Sequence, residues 1–385
     1  MSHVFPTYAR WNITPEQGEG SWLMTKEGIK YLDFTSGIGV LNIGHRNSKV
    51  EKAIIDQLGK YYHTSNLFQQ PLQEKLATKL AEMTGLEAAF FCNSGAEANE
   101  AAIKLAKKAT GRKKIVTCLQ SFHGRTYATM GATGQEKVRV GYGPMLDNFA
   151  YVTFNDEEEV KSVVDQDTAA VMIEIVQGEG GVHPATESFI QAVKEAAKSV
   201  GALIIVDEIQ TGVGRTGKAF AFQNFDLQPD IITVAKGLGN GLPIGAMLGS
   251  KQLVEYFSPG SHGSTFGGNP ISVAAALAVV EEVFTEAFLK EVIIKGEYLK
   301  NKLSNQLVDC PAVVDIRGMG LMMAIELNKS ALPVLQQLQQ EELLVLMAGP
   351  NDIRLLPPLT VSLEEIDLAV EKISDVMKKQ PVPAS

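Results

Sequence analysis

Short, unbroken apolar runs recur up to about residue 270: AAFFCN, KKIVTC, AAVMIEIV, ALIIVDE and DIITVAK. Between them lie longer stretches with helical spacing, such as EANEAAIKLAKKATG and SFIQAVKEAAKSVG. A strand covered by helices on both faces has no polar side to show, so this alternation predicts a doubly wound, mostly parallel α/β sheet. In such sheets ligands sit beyond the carboxyl ends of the strands. The polar residues at those positions are Asn93 and Ser94, Glu174, Asp207 and Lys236. From about residue 271 the pattern changes. An alanine-rich helical stretch, ISVAAALAVVEEVF, leads into IRGMGLMMAIEL, ELLVLMAG and IRLLPPLT, and a last helix follows. That order predicts a smaller α+β lobe. Before residue 50, GSWLMTKEGIKYLDF carries short strand and turn signals and is expected to pack with that lobe or against a partner subunit. The expected division is residues 1–50, 51–270 and 271–385.

Composition narrows the function classes. A chain of 385 residues exceeds one ordinary core, and 45% hydrophobic with 21% charged residues excludes disordered and fibrous classes. The formal net charge of −9 offers no basic field, so nucleic acid is not an expected partner. The opening residues lack the pattern of a signal peptide, and no apolar run is long enough to span a bilayer. A cytoplasmic protein without a membrane partner is expected. Three cysteines without CxxC spacing do not suggest a disulfide framework, and six scattered histidines do not suggest a metal site.

The chemistry lies at the strand ends. In FFCNSGAEANEAAIKLAKKA a strand ends near Cys92 and a helix begins near Glu97. Free amides at a helix start, beside a hydroxyl, suit an anion, which makes Ser94, Gly95 and Ala96 candidate phosphate ligands; a plain Asn/Ser cap fits the same residues. Asp207 ends another run, and a carboxylate there needs a cation or hydrogen-bond donors, a pyridinium nitrogen or an arginine alike. Lys236 ends a third, directly before a glycine-rich turn; a buried lysine of depressed pKa is a nucleophile towards carbonyls. GVGRTGKA, at 212–219, comes within one residue of a phosphate-binding P-loop, but Ala219 stands where the magnesium-binding hydroxyl belongs and the glycines follow DEIQT rather than a strand. GLGNGLPIG lacks dinucleotide-binding spacing. A phosphate cup, an acid and a lysine at neighbouring strand ends are the fixtures that pyridoxal 5′-phosphate requires.

The ordered motifs NSGAEANEAAIKLAKK, SFHGRT, IVQGEGGV, VDEIQTGVGRTG, ITVAKGLGNGLPIGA, HGSTFGGNP and IRLLPPLT resemble those of the class III, subgroup II pyridoxal-phosphate aminotransferases, from about Tyr8 to the last strand. The resemblance implies fold type I and a homodimer with active sites at the subunit interface. It implies that Lys236 forms the Schiff base and shuttles the proton, and that Asp207 pairs with the pyridine nitrogen. Gly95 and Ala96, with Ser94 nearby, would hold the phosphate, and Thr265 would reach it from the other subunit. Phe122 would stack on the ring and Gln210 would sit by its phenolic oxygen.

The same resemblance implies two substrates in turn, a small-molecule amino donor and 2-oxoglutarate. Arg125 and Arg354 match the family's carboxylate-binding arginines, and planar, bidentate arginine suits that task. Glu179 matches a glutamate that pairs with the second arginine and swings aside for a dicarboxylate, while Glu174 matches a supporting glutamate. Tyr8 and Ser264 are expected on the substrate side. Ile38 stands where related ornithine enzymes carry a tyrosine, so its apolar surface favours an N-acetylated ornithine over ornithine itself. Ornithine or 4-aminobutyrate as the donor, and an aminomutase or racemase on the same fold, are the alternatives.

Overall fold

The computed structural model describes residues 3–379; the ends of the first and last segments of the expected division, residues 1–2 and 380–385, lie outside the described residues. A seven-stranded sheet forms the centre, in the order Ala88–Cys92, Gly245–Gly249, Ile231–Val234, Leu203–Asp207, Thr168–Ile173, Lys114–Cys118, Phe149–Val152. Only Gly245–Gly249 runs antiparallel to its neighbours. Thr168–Ile173, Ile231–Val234 and Gly245–Gly249 are buried at every position, as a sheet covered on both faces demands. The run AAVMIEIV is divided. Its strand stops at Ile173, and Val176–Gln177 pairs instead with His183–Pro184, so the chain turns at Glu174 and delivers its carboxylate to the sheet edge.

Helix ends follow local chemistry. Ser94 caps Gly95–Thr110 by accepting from the Glu97 amide, and Thr186 caps Glu187–Val200 through the Phe189 amide. Both helices end on a left-handed glycine, Gly111 and Gly201. Pro270–Val283 is apolar and mostly buried up to Glu281 and Glu282, which pair with Lys75 and Lys49, and it is packed by Ser48–Leu58 and Pro71–Thr84.

A second, four-stranded sheet, Val313–Met319, Met322–Leu327, Asp352–Leu355, Leu346–Ala348, lies in the C-terminal part. Leu343–Leu344 leaves it and joins the N-terminal strands, running parallel to Lys30–Asp33 in a third sheet with Pro15–Glu19 and Trp22–Thr25. The near P-loop forms no phosphate cradle: Arg215 turns inward, fully buried, and only a short 3-10 turn, Ala221–Asn224, follows.

Glu208 is buried completely beside the site. Its Oε2 accepts from Thr211 Oγ1 at 2.5 Å and its Oε1 from the Phe222 amide at 2.8 Å. Burial outweighs these bonds and pushes its pKa up to about 7, from an ordinary 4.5. A raised carboxylate pKa means stability that is full below the unfolded value and declines as pH rises through the folded one. Gln fits the same donors, because the Thr211 hydroxyl can turn to accept. Glu208→Gln is therefore expected to raise the melting temperature at pH 8 relative to the parent, with the difference shrinking towards pH 4.5; a constant difference across that range would count against a charged, buried Glu208.

Candidate active site

The carboxyl ends of the strands converge on a cavity of about 420 Å³. Asn93, Ser94, Gly95 and Ala96 line it from one strand-to-helix turn, Phe122 and Arg125 from the next loop, and Glu174, Asp207 and Lys236 from three further strand ends. The first helical amides, those of Gly95 and Ala96, have no carbonyl one turn earlier to bond, which leaves them to an anion. Gly95 is required there, since a Cβ would stand 2.6 Å from Ile209 Cδ1. The loop that carries Phe122 crosses this helix start at Gly124, whose φ of +139° and closeness to Ala96 exclude a side chain.

Asp207 is 4% exposed and held from three sides. Its Oδ2 accepts from Asn99 Nδ2 and His123 Nδ1, both at 2.8 Å, and its Oδ1 from the Ile209 amide at 3.0 Å. The Thr117 hydroxyl donates to the Ala132 carbonyl, so its oxygen is left to accept from His123 Nε2 at 3.3 Å. Both imidazole nitrogens thus face acceptors. Burial opposes a charged His123, yet the hydrogen bond and charge of Asp207 outweigh it and raise the pKa. Glu174 accepts from the Phe122 amide at 3.2 Å; burial, with the Asp207 charge adding, raises its pKa, against the opposing pull of His123.

Lys236 opens a 3-10 turn with φ of +42°, a left-handed conformation that a side-chain-bearing residue adopts at a cost of about 1–3 kcal/mol. Gly237 follows because a Cβ there would overlap the Asn42 amide at 2.3 Å. Burial lowers the Lys236 pKa, Glu179 opposing and Arg354 assisting. Among the described residues its Nζ has no recorded hydrogen bond or ion pair. A free amine of lowered pKa facing an open cavity is suited to attack a carbonyl carbon.

Arg354, 2% exposed, donates from Nη1 to Glu179 Oε1 at 2.7 Å and to Gln210 Oε1 at 3.0 Å, while its Nε is buried without a partner. Burial would raise the Glu179 pKa, but Arg354 and Lys236 outweigh it and hold the carboxyl below its ordinary value. Gln210 also reaches Glu179, at 3.4 Å, so its amide sits within this ion pair. Arg125 is exposed at the cavity rim, its guanidinium 5.6 Å from the Phe122 ring centre.

Four residues expected at the site lie outside this cavity in the single chain. Ser264 accepts from Asn93 Nδ2 at 3.1 Å at its edge. Thr265 is exposed, Tyr8 is 78% exposed, and Ile38 is 47% exposed at a φ of +68°. Asn99 and His123, which grip Asp207, are additions. An Asn within a helix and a His beside an aromatic read as ordinary core until the partner carboxylate is located; the signal available was that both fall in motifs flanking the strand ends. Among the described residues no group of three His, Cys, Asp or Glu side chains is placed to hold a metal ion.

A family model described as aminotransferase class-III matches residues 6–377. The acetylornithine aminotransferase of Halalkalibacterium halodurans is 54% identical over 384 residues, 100% of each chain. That of Bacillus subtilis is 54% identical over 378 residues, 98% of each chain. The ornithine aminotransferase of Toxoplasma gondii superposes with a TM-score of 0.94 at 29% identity, over 98% of this chain and 92% of that one. The N-acetylornithine aminotransferase from Stenotrophomonas maltophilia gives a TM-score of 0.85 at 32% identity, over 96% and 97%. The chain belongs to the class III aminotransferases, and with that family it is a pyridoxal-phosphate-dependent transaminase of mixed α/β fold. The site fits that cofactor: a helix start open to an anion, an amine left free, and a buried carboxylate held in place by its donors.

Proposed function

We propose that the chain transfers the terminal amino group of N-acetylornithine to 2-oxoglutarate, giving N-acetylglutamate semialdehyde and glutamate, a step of arginine biosynthesis. The observation that carries the reading is the Glu179–Arg354 pair at 2.7 Å beside Lys236. A buried arginine neutralised by a carboxylate suits a donor whose reacting end bears no acid. Released, the same arginine suits a dicarboxylate, so one cavity serves both substrates in turn. The unpartnered Nε of Arg354 supplies a further donor for that carboxylate.

Pyridoxal phosphate, when bound, supplies the carbonyl carbon that receives the amine and a ring that withdraws electrons. Lys236 is the nucleophile and moves the proton at the carbon bearing the amine. Asp207, gripped by Asn99, His123 and the Ile209 amide, would hold a proton on the ring nitrogen. Ser94, Gly95 and Ala96 take the phosphate, Phe122 covers the ring, and Arg125 takes the donor's α-carboxylate at the rim. The acetylated donor is favoured by the apolar side chain of Ile38 and by the 54% identity to the Bacillus subtilis acetylornithine aminotransferase.

A cytoplasmic homodimer completes the reading. Tyr62, Leu67, Phe68 and Phe266 are exposed on two segments joined where Asn66 donates to the Ser264 and Gly267 carbonyls, apolar side chains suited to a second copy that would bring Thr265, Ser264, Tyr8 and Ile38 to a neighbouring cavity. Free Cys92, Cys118 and Cys310 suit a reducing compartment. We also propose the division 1–50, 51–270 and 271–385, supported by the strand pairing of Leu343–Leu344 with Lys30–Asp33. Single-turnover absorbance of the holoenzyme with N-acetylornithine, ornithine, 4-aminobutyrate and glutamate tests the activity. N-acetylornithine is expected to react fastest of the ω-amines; ornithine or 4-aminobutyrate in front would overturn the substrate assignment.

A further inference from the structure

The sheet that carries Arg354 has two unlike faces. Arg317, Ala324 and Arg354 stand in one cross-strand row, and Asp315, Glu326 and Asp352 in the adjacent row of the same face. Ile316, Ile325 and Ile353 point the other way, into an apolar core. Arg317 neutralises the acidic row: Nη2 donates to Asp352 Oδ1 at 2.5 Å, and Nη1 to Glu326 and to Asp315 Oδ2 at 3.3 Å. Its remaining donors do something else. Nε, at 3.0 Å, and Nη2, at 2.7 Å, both reach the carbonyl of Gly181.

Gly181 lies two residues beyond Glu179 in the segment QGEGG. The segment is glycine-rich because its neighbours leave no room: a Cβ on Gly178 would stand 2.2 Å from Gln210 Oε1, and one on Gly180 would stand 2.7 Å from the Gln120 carbonyl. Held at Gly181, the segment has Gly180 as the residue between its anchor and the carboxylate. Arg317 also grips Asp352, two residues from Arg354 on the same strand. One guanidinium therefore fixes both the loop that carries the carboxylate and the strand that carries its arginine.

We propose that Arg317 is a positioning residue for the Glu179–Arg354 pair: by clamping the Gly181 carbonyl to the sheet face bearing Arg354, it holds Glu179 in place and sets the preference between ω-amine and dicarboxylate. The inference rests on the reading of Glu179 and Arg354 given above. Lysine is the informative replacement, since it keeps a positive charge for the acidic row but cannot reproduce a forked clamp on one carbonyl while holding Asp352.

The test is the ratio of single-turnover rates with N-acetylornithine and with glutamate, for holoenzyme of the parent, Glu179→Ala, Arg317→Lys and the double variant. Arg317→Lys is expected to shift the ratio towards glutamate by about tenfold, in the direction of Glu179→Ala, and to add nothing once Glu179 is gone. A shift with Glu179→Ala and none with Arg317→Lys overturns the clamp and leaves the site reading intact, as does an additive double variant. No shift with Glu179→Ala overturns the site reading itself. If Arg317→Lys does not fold, Asp352→Asn, which removes one carboxylate holding the guanidinium, is expected to give a smaller shift of the same sign; no shift there overturns the clamp.

Discussion

Replacing Lys236 with alanine is expected to lower transamination by on the order of 10⁴-fold or more, because the proposed mechanism makes one side chain both nucleophile and proton shuttle. The depressed pKa, an Nζ without a hydrogen bond or ion pair among the described residues, and the left-handed backbone support that role. The fold is expected to persist. Gly237 still seats on Asn42, and the phosphate still has the helix start at Gly95, so cofactor remains bound, now without its covalent link. Steady-state rates with N-acetylornithine, together with the absorbance of retained cofactor, check both halves. Parent-like activity in the variant would falsify the role given to Lys236.

Asp207→Asn is expected to reduce activity by about 10²- to 10⁴-fold, since the group proposed to hold the ring nitrogen protonated is replaced by a neutral amide. It has a second, separable effect. The raised pKa of His123 means that its charged form contributes stability below the ordinary histidine value of 6.5, a contribution lost as pH rises through the folded value. Asparagine at 207 leaves His123 neutral, bonded through Nε2 to Thr117, and turns an amide towards Asn99 Nδ2. The variant should be less stable than the parent near pH 6, by roughly 1–3 kcal/mol for the mispaired donors, and the gap should narrow at alkaline pH. Thermal melts between pH 6 and 9 measure it. A gap that stays constant or widens would show that Asp207 does not stabilise an imidazolium.

Much of this site could be read from strand ends alone. Asn93, Glu174, Asp207 and Lys236 each follow an apolar run, and a parallel sheet brings such positions to one edge whatever the helices between them do. Residues that act through a partner were less accessible. Asn99 and His123 become intelligible only once Asp207 is seen between them, and Gln210 takes its meaning from lying across Glu179 and Arg354. The strand Gly245–Gly249 was hidden by its composition, for GAMLG follows a glycine-rich turn and reads as more loop; neighbouring strands supply what its own propensity lacks. Tyr8, Ile38 and Thr265 are exposed in one chain, and no spacing along that chain brings them to its cavity.

Buried Arg215 bears on how the enzyme is made. Its guanidinium donates to Asn42 Oδ1 at 2.7 Å, to the Leu321 carbonyl at 3.1 Å and to the Pro357 carbonyl at 2.5 Å. Asn42 in turn seats Gly237, the residue after Lys236. The turn that presents Lys236 is thus braced by residues from near the beginning and near the end of the chain, and contacts between such distant parts slow folding. The geometry at the lysine thus depends on Asn42, Arg215, Leu321 and Pro357, none of which lines the cavity.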